Sequence, residues 1–508
     1  MKRKFTKILS LFLSAVIIIS AFCVIASAAG DDITITNPYS GIDWDNINQY
    51  KTALHCHTNA SDGDYTLKQV LERHVETGFD AVAVTDHGDA DDGWATTSGR
   101  EFPGKTLQAM GRSKGNLEYL GDSGEFADGI TYTYSQGPSG DYYLKSSNGS
   151  DILRIPYGIE NNAVSVNAHV NSWFVKYQNN NITDYEQCIK DVDKLGGLSV
   201  INHPGEYTQA RYELYTDDAY NLSNASYKYY FQKFYGLIMK YPSCIGIDIN
   251  SKGDGRTRYE RKLWDEMLTE AAKSGRTVTA IASSDAHQLN KIDTGSTIVL
   301  ADEKTSASFK DALSKGHILP QSTCIANVDE LIAYNNAIKE FYGETSFTKQ
   351  LDNVISQYEA ERDTIAKTAK KSNVGVSYTS LDSDGYFNKN ARVKVDSIEV
   401  DDNDNTITIN SENALIVRFI SGGKQIAVVP SSDGKIDLDD YKDELSGYVR
   451  AEIFGEGGVV YTESFTINAE QNHSDSNPSY FNLGSFDFIF SLLNSLFERL
   501  GRFFKSIC

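Results

Sequence analysis

The chain reads as an α/β protein, in which a large first domain of alternating strands and helices is followed by helices and then a β-sandwich. Two patterns predict this. From Thr52 to about Leu300, short apolar runs alternate with stretches whose apolar residues recur near i, i+3 and i+4. From Val393 to Ile467, strand-length apolar runs follow one another with turns between them. A third observation concerns chemistry: the apolar runs of the first domain end in histidine or carboxylate side chains.

At 508 residues the chain is long enough for several domains and real cores. The N-terminus reads Met1-Lys2-Arg3-Lys4, then an apolar run from Ile8 to Ile25, then Ala26-Ser27-Ala28. That is the pattern of a secretory signal cleaved after Ala28 or Ala29, so residues 1–29 are set aside and a secreted or cell-surface protein is expected. Loss of Lys2, Arg3, Lys4 and Lys7 takes the net charge from −21 to about −25. Such a protein repels polyanions at long range, which argues against broad nucleic-acid binding. Cys56, Cys188, Cys244, Cys324 and Cys508 are odd in number and widely spaced, unlike a disulfide framework or zinc knuckle. They allow one bridge or buried free thiols.

In the first domain, residues 45–325, the expected strands are Ala53–His57, Ala81–Thr85, Ile155–Glu160, Ala163–His169, Leu198–Asn202, Ile245–Ile249 and Val278–Ser283. Expected helices are Leu67–Thr77, Asp184–Leu195, Tyr227–Lys240 and Tyr259–Ser274, with Gly78, Gly196 and Gly275 as stops. Such alternation builds a barrel or a doubly wound sheet. Residues 90–150 interrupt it with a Gly-, Ser-, Asp- and Tyr-rich run, expected to be a loop that serves as a lid or substrate wall. Residues 326–390 read as helical and 391–468 as the β-sandwich, with Asp401-Asp402-Asn403-Asp404-Asn405 an acidic turn rather than a calcium loop. A polar linker, 469–480, leads to an amphipathic helix at 481–508. There Ile489, Leu492, Leu493, Leu496, Leu500, Phe503, Phe504 and Ile507 face Glu498, Arg499, Arg502 and Lys505. Its stripe suits a membrane surface, a partner or the protein's own body.

The chemistry begins at Leu54-His55-Cys56-His57-Thr58-Asn59-Ala60-Ser61-Asp62-Gly63. Side chains alternate along a strand, so His55 and His57 share a face and can hold one divalent cation, with Asp62 just beyond the turn. Further along come Thr85-Asp86-His87, Gly158-Ile159-Glu160, Ala168-His169, Asn202-His203-Pro204 and Ser284-Asp285-Ala286-His287. Six of the nine histidines belong to this set; His74, His317 and His473 read as surface or structural residues. Parallel strands deliver their carboxyl ends to one face, so ligands distant in sequence converge. A zinc-type ion takes three or four ligands, so this inventory suits two or three divalent metals (Zn, Mn or Fe) sharing a bridging carboxylate.

In order and spacing, H-x-H-T-x-x-S-D-G, T-D-H, G-x-E, an isolated His, N-H-P and S-D-A-H resemble the PHP (polymerase and histidinol phosphatase) domain across about residues 50–300. The resemblance implies a distorted seven-stranded β/α barrel with a trinuclear site that hydrolyses phosphoesters. It also implies ligand groups: His55, His57, Glu160 and Asp285 for a first metal; Glu160 bridging to a second with His169 and His203; Asp62, His87 and His287 for a third. An exported domain of this type followed by a sandwich is also similar to a carbaryl-hydrolase-like branch. That likeness brings carboxylic or carbamic esters into view as substrates.

The expected reaction is attack by a metal-held hydroxide on a small phosphorylated or ester substrate. Asp86 enters as an anchor for the site, a proton carrier or a turn cap, and Arg154, Arg256 and Arg258 as phosphate clamps or ordinary surface arginines. The rival class is a non-catalytic surface-binding protein that retains its metal site.

Overall fold

The computed structural model describes residues 33–88, 90–95, 118–163, 168–177, 184–206, 225–250, 260–323, 328–369, 388 and 390–467. The expected signal segment, linker and C-terminal amphipathic helix lie outside the described residues, as do Arg256, Arg258, Cys324 and Cys508. No helix among the described residues is long and apolar enough to cross a membrane.

Two sheets frame the first domain. In one, Thr279–Ile281, Cys244–Asp248 and Leu198–Ile201 run parallel, and Ala168–Trp173 and Ile159–Ala163 continue it antiparallel. In the other, Asn48–Ala53 pairs in parallel with Ala81–Val82, which pairs in parallel with Asp151–Arg154. Among the described residues these strands do not close into a barrel. The sheets meet instead through two isolated parallel bridges, Cys56 with Ala286 and His87 with Glu160. Regular strands of two residues (Ala81–Val82) and three (Thr279–Ile281) are too short to sustain a ladder. Beyond their ends the backbone turns side chains inward, holding the seam by single bonds such as His57 N–H to the Ala286 carbonyl, 3.0 Å, and Glu160 N–H to the Thr85 carbonyl, 3.1 Å.

Several elements depart from expectation. The first strand is Asn48–Ala53, so His55 and His57 lie in the extended stretch after it. Ile155–Glu160 and Ala163–His169 resolve into Asp151–Arg154, Ile159–Ala163 and Ala168–Trp173. The described part of the expected 90–150 loop is an antiparallel meander: Ser123–Glu125, Thr131–Gln136 and Tyr142–Ser146 pair in turn, and the last joins Asp151–Arg154. Along Thr131–Gln136 burial alternates, with Tyr132 and Tyr134 packed beside Trp94, Leu144 and Ile152 while Thr131 and Thr133 face solvent. Period-two burial outweighs the loop-like composition.

Helices cover these sheets at Leu67–Glu76, Tyr185–Leu195, Ala225–Lys240 and Glu260–Ala272. Thr66 and Gln69 form a reciprocal capping box at the first, while Asp184 caps the second and Gly196 ends it in the left-handed region. Their apolar faces bury Leu71, Ile189, Val192, Phe234, Trp264 and Leu268, each such side chain contributing about 1.5–3 kcal/mol. Two helices follow, Val328–Tyr342 and Ser346–Ala369. Lys394–Asp401, Thr406–Glu412 and Gly434–Asp437 then form a three-stranded sheet. Its Val395, Ile398, Ile407 and Ile409 share one apolar core with Val417, Phe419, Ala451 and Ile453 of the large sheet. The large sheet is continuous with the first domain, since Gly458–Tyr461 pairs with Ile318–Ser322. Asp401 accepts from the backbone N–H groups of Asn403 and Asp404, so the acidic run is a capped turn. Cys56, Cys188 and Cys244 are buried free thiols.

Candidate metal centre

After Ala53 the chain leaves its ladder but stays extended, so successive side chains still alternate. His55 and His57 point to one side with their Nε2 atoms 3.2 Å apart. Cys56 points to the other, into a core with Leu71, Val82 and Val84. The following turn is tied down by Asp86, which accepts from Thr58 N–H at 2.7 Å, Thr58 Oγ1 at 2.6 Å and Ser61 Oγ at 2.6 Å. Gly63 closes that turn because a Cβ there would meet the His57 carbonyl carbon and oxygen and the Thr58 carbonyl carbon at 2.9 Å.

Four donors converge at the seam. His55 Nε2 lies 3.3 Å from Glu160 Oε2 and 3.2 Å from Asp285 Oδ1, and His57 Nε2 lies 3.1 Å from each. Tetrahedral coordination with bonds of about 2.0–2.1 Å requires donor separations of roughly 3.3 Å. The separations measured here, with the 3.2 Å between the imidazoles, have that size. All four residues are buried, and two imidazoles with two carboxylates are the donor chemistry of a divalent cation. The residues present therefore fit a metal ion.

Glu160 faces a second group with its other oxygen. Oε1 stands 2.9 Å from His169 Nδ1 and 3.1 Å from His203 Nε2, and accepts from Asn202 Nδ2 at 2.8 Å. Around Asp62 lies a third. His287 Nε2 is 3.1 Å from Asp62 Oδ2, His57 Nδ1 is 3.4 Å from Oδ1, and His87 Nε2 is 3.8 Å from Oδ1. His87 stands between groups, because its Nε2 is nearer to Glu160 Oε2, at 3.4 Å. Two of the side chains rest on unusual backbone: His203 has φ 27° and Asp285 φ 44°. Such conformations persist in non-glycine residues only where surrounding contacts over-determine them.

Charge is strongly coupled. Burial disfavours a charged His57, but the hydrogen bonds it donates to Asp285 and Glu160, with the nearby Asp62, outweigh burial and hold its pKa well above the usual value. Burial likewise opposes ionisation of Glu160, yet His169, His55 and His87 bring it well below the carboxylate range. At Asp62, His287, His57 and His87 overcome the same penalty and push it down. Burial wins at His87, whose pKa is lowered to about 4.

Of the expected site residues, His55, His57, Asp62, His87, Glu160, His169, His203, Asp285 and His287 are brought together. Asp86 holds the Thr58–Ser61 turn. Arg154 is buried, its Nη1 donating to the Asp91 carbonyl at 3.0 Å and its guanidinium lying over Tyr142, so it serves to brace the meander. His74, expected at the surface or in a structural role, is buried inside its helix with Nδ1 at the Val70 carbonyl. Sequence reasoning quoted Asn202 only as part of Asn202-His203-Pro204, without a role, and missed Asp248. Both sit at strand ends beside the site, and the only signal was an amide or carboxylate at that position.

The family model described as the PHP domain matches residues 53–220. The matched stretch contains His55, His57, Asp62, His87, Glu160, His169 and His203, and it ends before Asp285 and His287. No curated protein matches the chain. Among solved structures, a two-domain protein of Bacteroides vulgatus containing a predicted PHP-like metal-dependent phosphoesterase is 13% identical. That alignment covers 85% of this chain and 98% of the other, with a TM-score of 0.34. PsfC from Pseudomonas syringae is 11% identical over 63% of this chain and 99% of its own, with a TM-score of 0.32. The lesion-specific endonuclease EndoQ of Pyrococcus furiosus is 14% identical over 53% and 56%, with a TM-score of 0.29. At these scores the likenesses carry no weight for function.

Proposed function

We propose that the protein is an exported, metal-dependent phosphoesterase acting on small phosphorylated substrates. The observation that carries this reading is the convergence of His55, His57, Glu160 and Asp285 at separations that suit one divalent cation. The match of residues 53–220 to the PHP domain supports it, and the secretory pattern of residues 1–29 supports export.

Bound divalent ions would supply Lewis acidity and lower the pKa of water towards neutrality. The chain's own residues do the rest. His55, His57, Glu160 and Asp285 would hold a first ion, with Glu160 offering its second oxygen towards His169 and His203, and Asp62, His87 and His287 forming a third group. Asn202 fixes the Glu160 carboxylate through Oε1, and Asp86 fixes the turn that carries Asp62. The His55, His57, Glu160 and Asp285 donors are buried, which strengthens the charge interactions among them.

The test measures the metal content of the purified protein and the turnover of phosphomonoester, phosphodiester and carboxyl-ester dyes with Zn, Mn or Fe. Phosphoester turnover that a chelator abolishes is expected. Metal-dependent turnover of the carboxyl ester alone would replace phosphoester hydrolysis with ester hydrolysis, and bound metal with no turnover would indicate a binding protein.

A further inference from the structure

We infer that Asp248 is a positioning residue for Asp285 and sets how tightly the cluster grips its cation; this rests on the metal-centre reading above. Asp248 ends the strand Cys244–Asp248 and is fully buried. One oxygen accepts from the Asn250 backbone N–H at 3.1 Å, and the other accepts a short hydrogen bond from Ser283 Oγ. Ser283 lies two residues before Asp285 in the turn that leaves the strand Thr279–Ile281. Asp285 holds φ 44°, in the left-handed region that few L side chains occupy and that Asp enters more readily than most, so a neighbouring bond helps to fix it there. The bond to Asp248 supplies that restraint from one side, and Ser284 Oγ, 3.5 Å from the His55 carbonyl, adds a weak contact on the other.

Asp248 is itself anchored from a distance. Arg261 Nη1 donates to the Ile249 carbonyl at 2.7 Å and to Asn250 Oδ1 at 3.3 Å, and Asn250 Nδ2 donates to Ser322 Oγ at 2.8 Å. Glu330, on the helix Val328–Tyr342, grips the same guanidinium through Nε at 2.7 Å and Nη2 at 2.5 Å. A continuous polar chain therefore runs from Glu330 through Arg261, Asn250, Asp248 and Ser283 to the Asp285 turn. Ser283 and Asn250 also crowd Gly295, where a Cβ would meet the Ser283 carbonyl oxygen at 2.2 Å and the Asn250 carbonyl oxygen at 3.1 Å. The turn has little freedom to relax while the Asp248 bond is in place.

The experiment titrates Mn2+ or Zn2+ into the chelator-stripped full chain by calorimetry, with metal content by mass spectrometry and the melting temperature of the metal-free protein alongside. Asp248→Ala and Ser283→Ala should weaken metal binding about 10–100-fold. Asp248→Asn, which keeps an oxygen towards Ser283, should restore most of the affinity. Excess metal should recover turnover in the alanine variants without changing KM. Should Asp248→Ala fail to fold, Ser283→Ala removes only a hydroxyl and reads the same bond. If the unaltered chain takes up metal and the folded alanine variants bind it equally tightly, this inference falls alone. If the unaltered chain takes up none, the metal-centre reading falls and takes this one with it.

Discussion

Glu160 presents one oxygen 3.1 Å from His57 Nε2, while its other oxygen is spoken for by a different pair of imidazoles, His169 and His203. A single buried carboxylate thus joins two groups of donors delivered by strands remote in sequence. The geometry makes Glu160 the residue whose loss should unmake the site, and the surrounding scaffold yields further expectations.

Gly63 is required by space rather than by its own backbone angle. A methyl group there would press on three main-chain atoms of His57 and Thr58 that cannot rotate away. Gly63→Ala should therefore shift the turn and weaken metal uptake by roughly an order of magnitude, in line with disturbed support around a metal ligand. Calorimetric titration checks this; unchanged affinity would mean that the turn absorbs the methyl.

Asp86 accepts three hydrogen bonds from Thr58 and Ser61 and so holds the turn that leads into Asp62. Asp86→Ala should lower metal affinity, leaving the shape of the pH–rate profile as it was while the rate falls. A profile that loses a limb would instead make Asp86 a proton carrier.

Arg450 joins the helix Glu260–Ala272 to the strand Tyr448–Gly455. It donates to Asp265 at 2.6 and 2.8 Å and to Glu452 at 2.8 Å, with the Trp264 ring centroid 5.0 Å away. Removing it leaves two buried carboxylates short of a partner, so Arg450→Ala should cost about 3–5 kcal/mol. Arg418 still reaches Glu452 at 2.6 Å, so Asp265 bears most of the loss. Urea unfolding measures the change, and a loss below about 1 kcal/mol would place this network among weak surface pairs.

Glu463 is buried with Oε1 accepting from the Ala280 N–H and Oε2 without a hydrogen-bond partner among the described residues. Burial drives its pKa well above the usual value, against the smaller effect of the Ala280 bond. The sign follows from linkage: with the folded pKa raised, the unfolded chain releases this proton first, so stability falls as pH rises from about 4.3 towards the folded value. Glu463→Gln keeps the Ala280 bond and cannot ionise. It should raise the melting temperature at pH 7 to 8 and leave it nearly unchanged at pH 4, as read by calorimetry; an equal shift at both pH values would contradict this.

Much of the site was legible because imidazoles are scarce and stand at strand ends, where position alone predicts convergence. Asp248 and Asn202 were not, since an acidic or amide side chain after an apolar run reads equally well as a turn cap, and only the fold shows Ser283 and Glu160 beside them. The meander over Thr131–Ser146 was hidden by its glycines and serines, although Thr131-Tyr132-Thr133-Tyr134 already alternated. The open seam between sheets could not be read at all. It depends on Ala81–Val82 and Thr279–Ile281 being too short to pair along their length, while the apolar runs that encode them are longer.

The most direct measurement is the metal-to-protein ratio and phosphoester turnover of the unaltered chain beside Glu160→Gln. Stoichiometric divalent metal with turnover in the former, and loss of metal with a fall of about 100-fold or more in the latter, is the expected result. Full turnover by Glu160→Gln with its metal lost would contradict a metal centre built on this carboxylate.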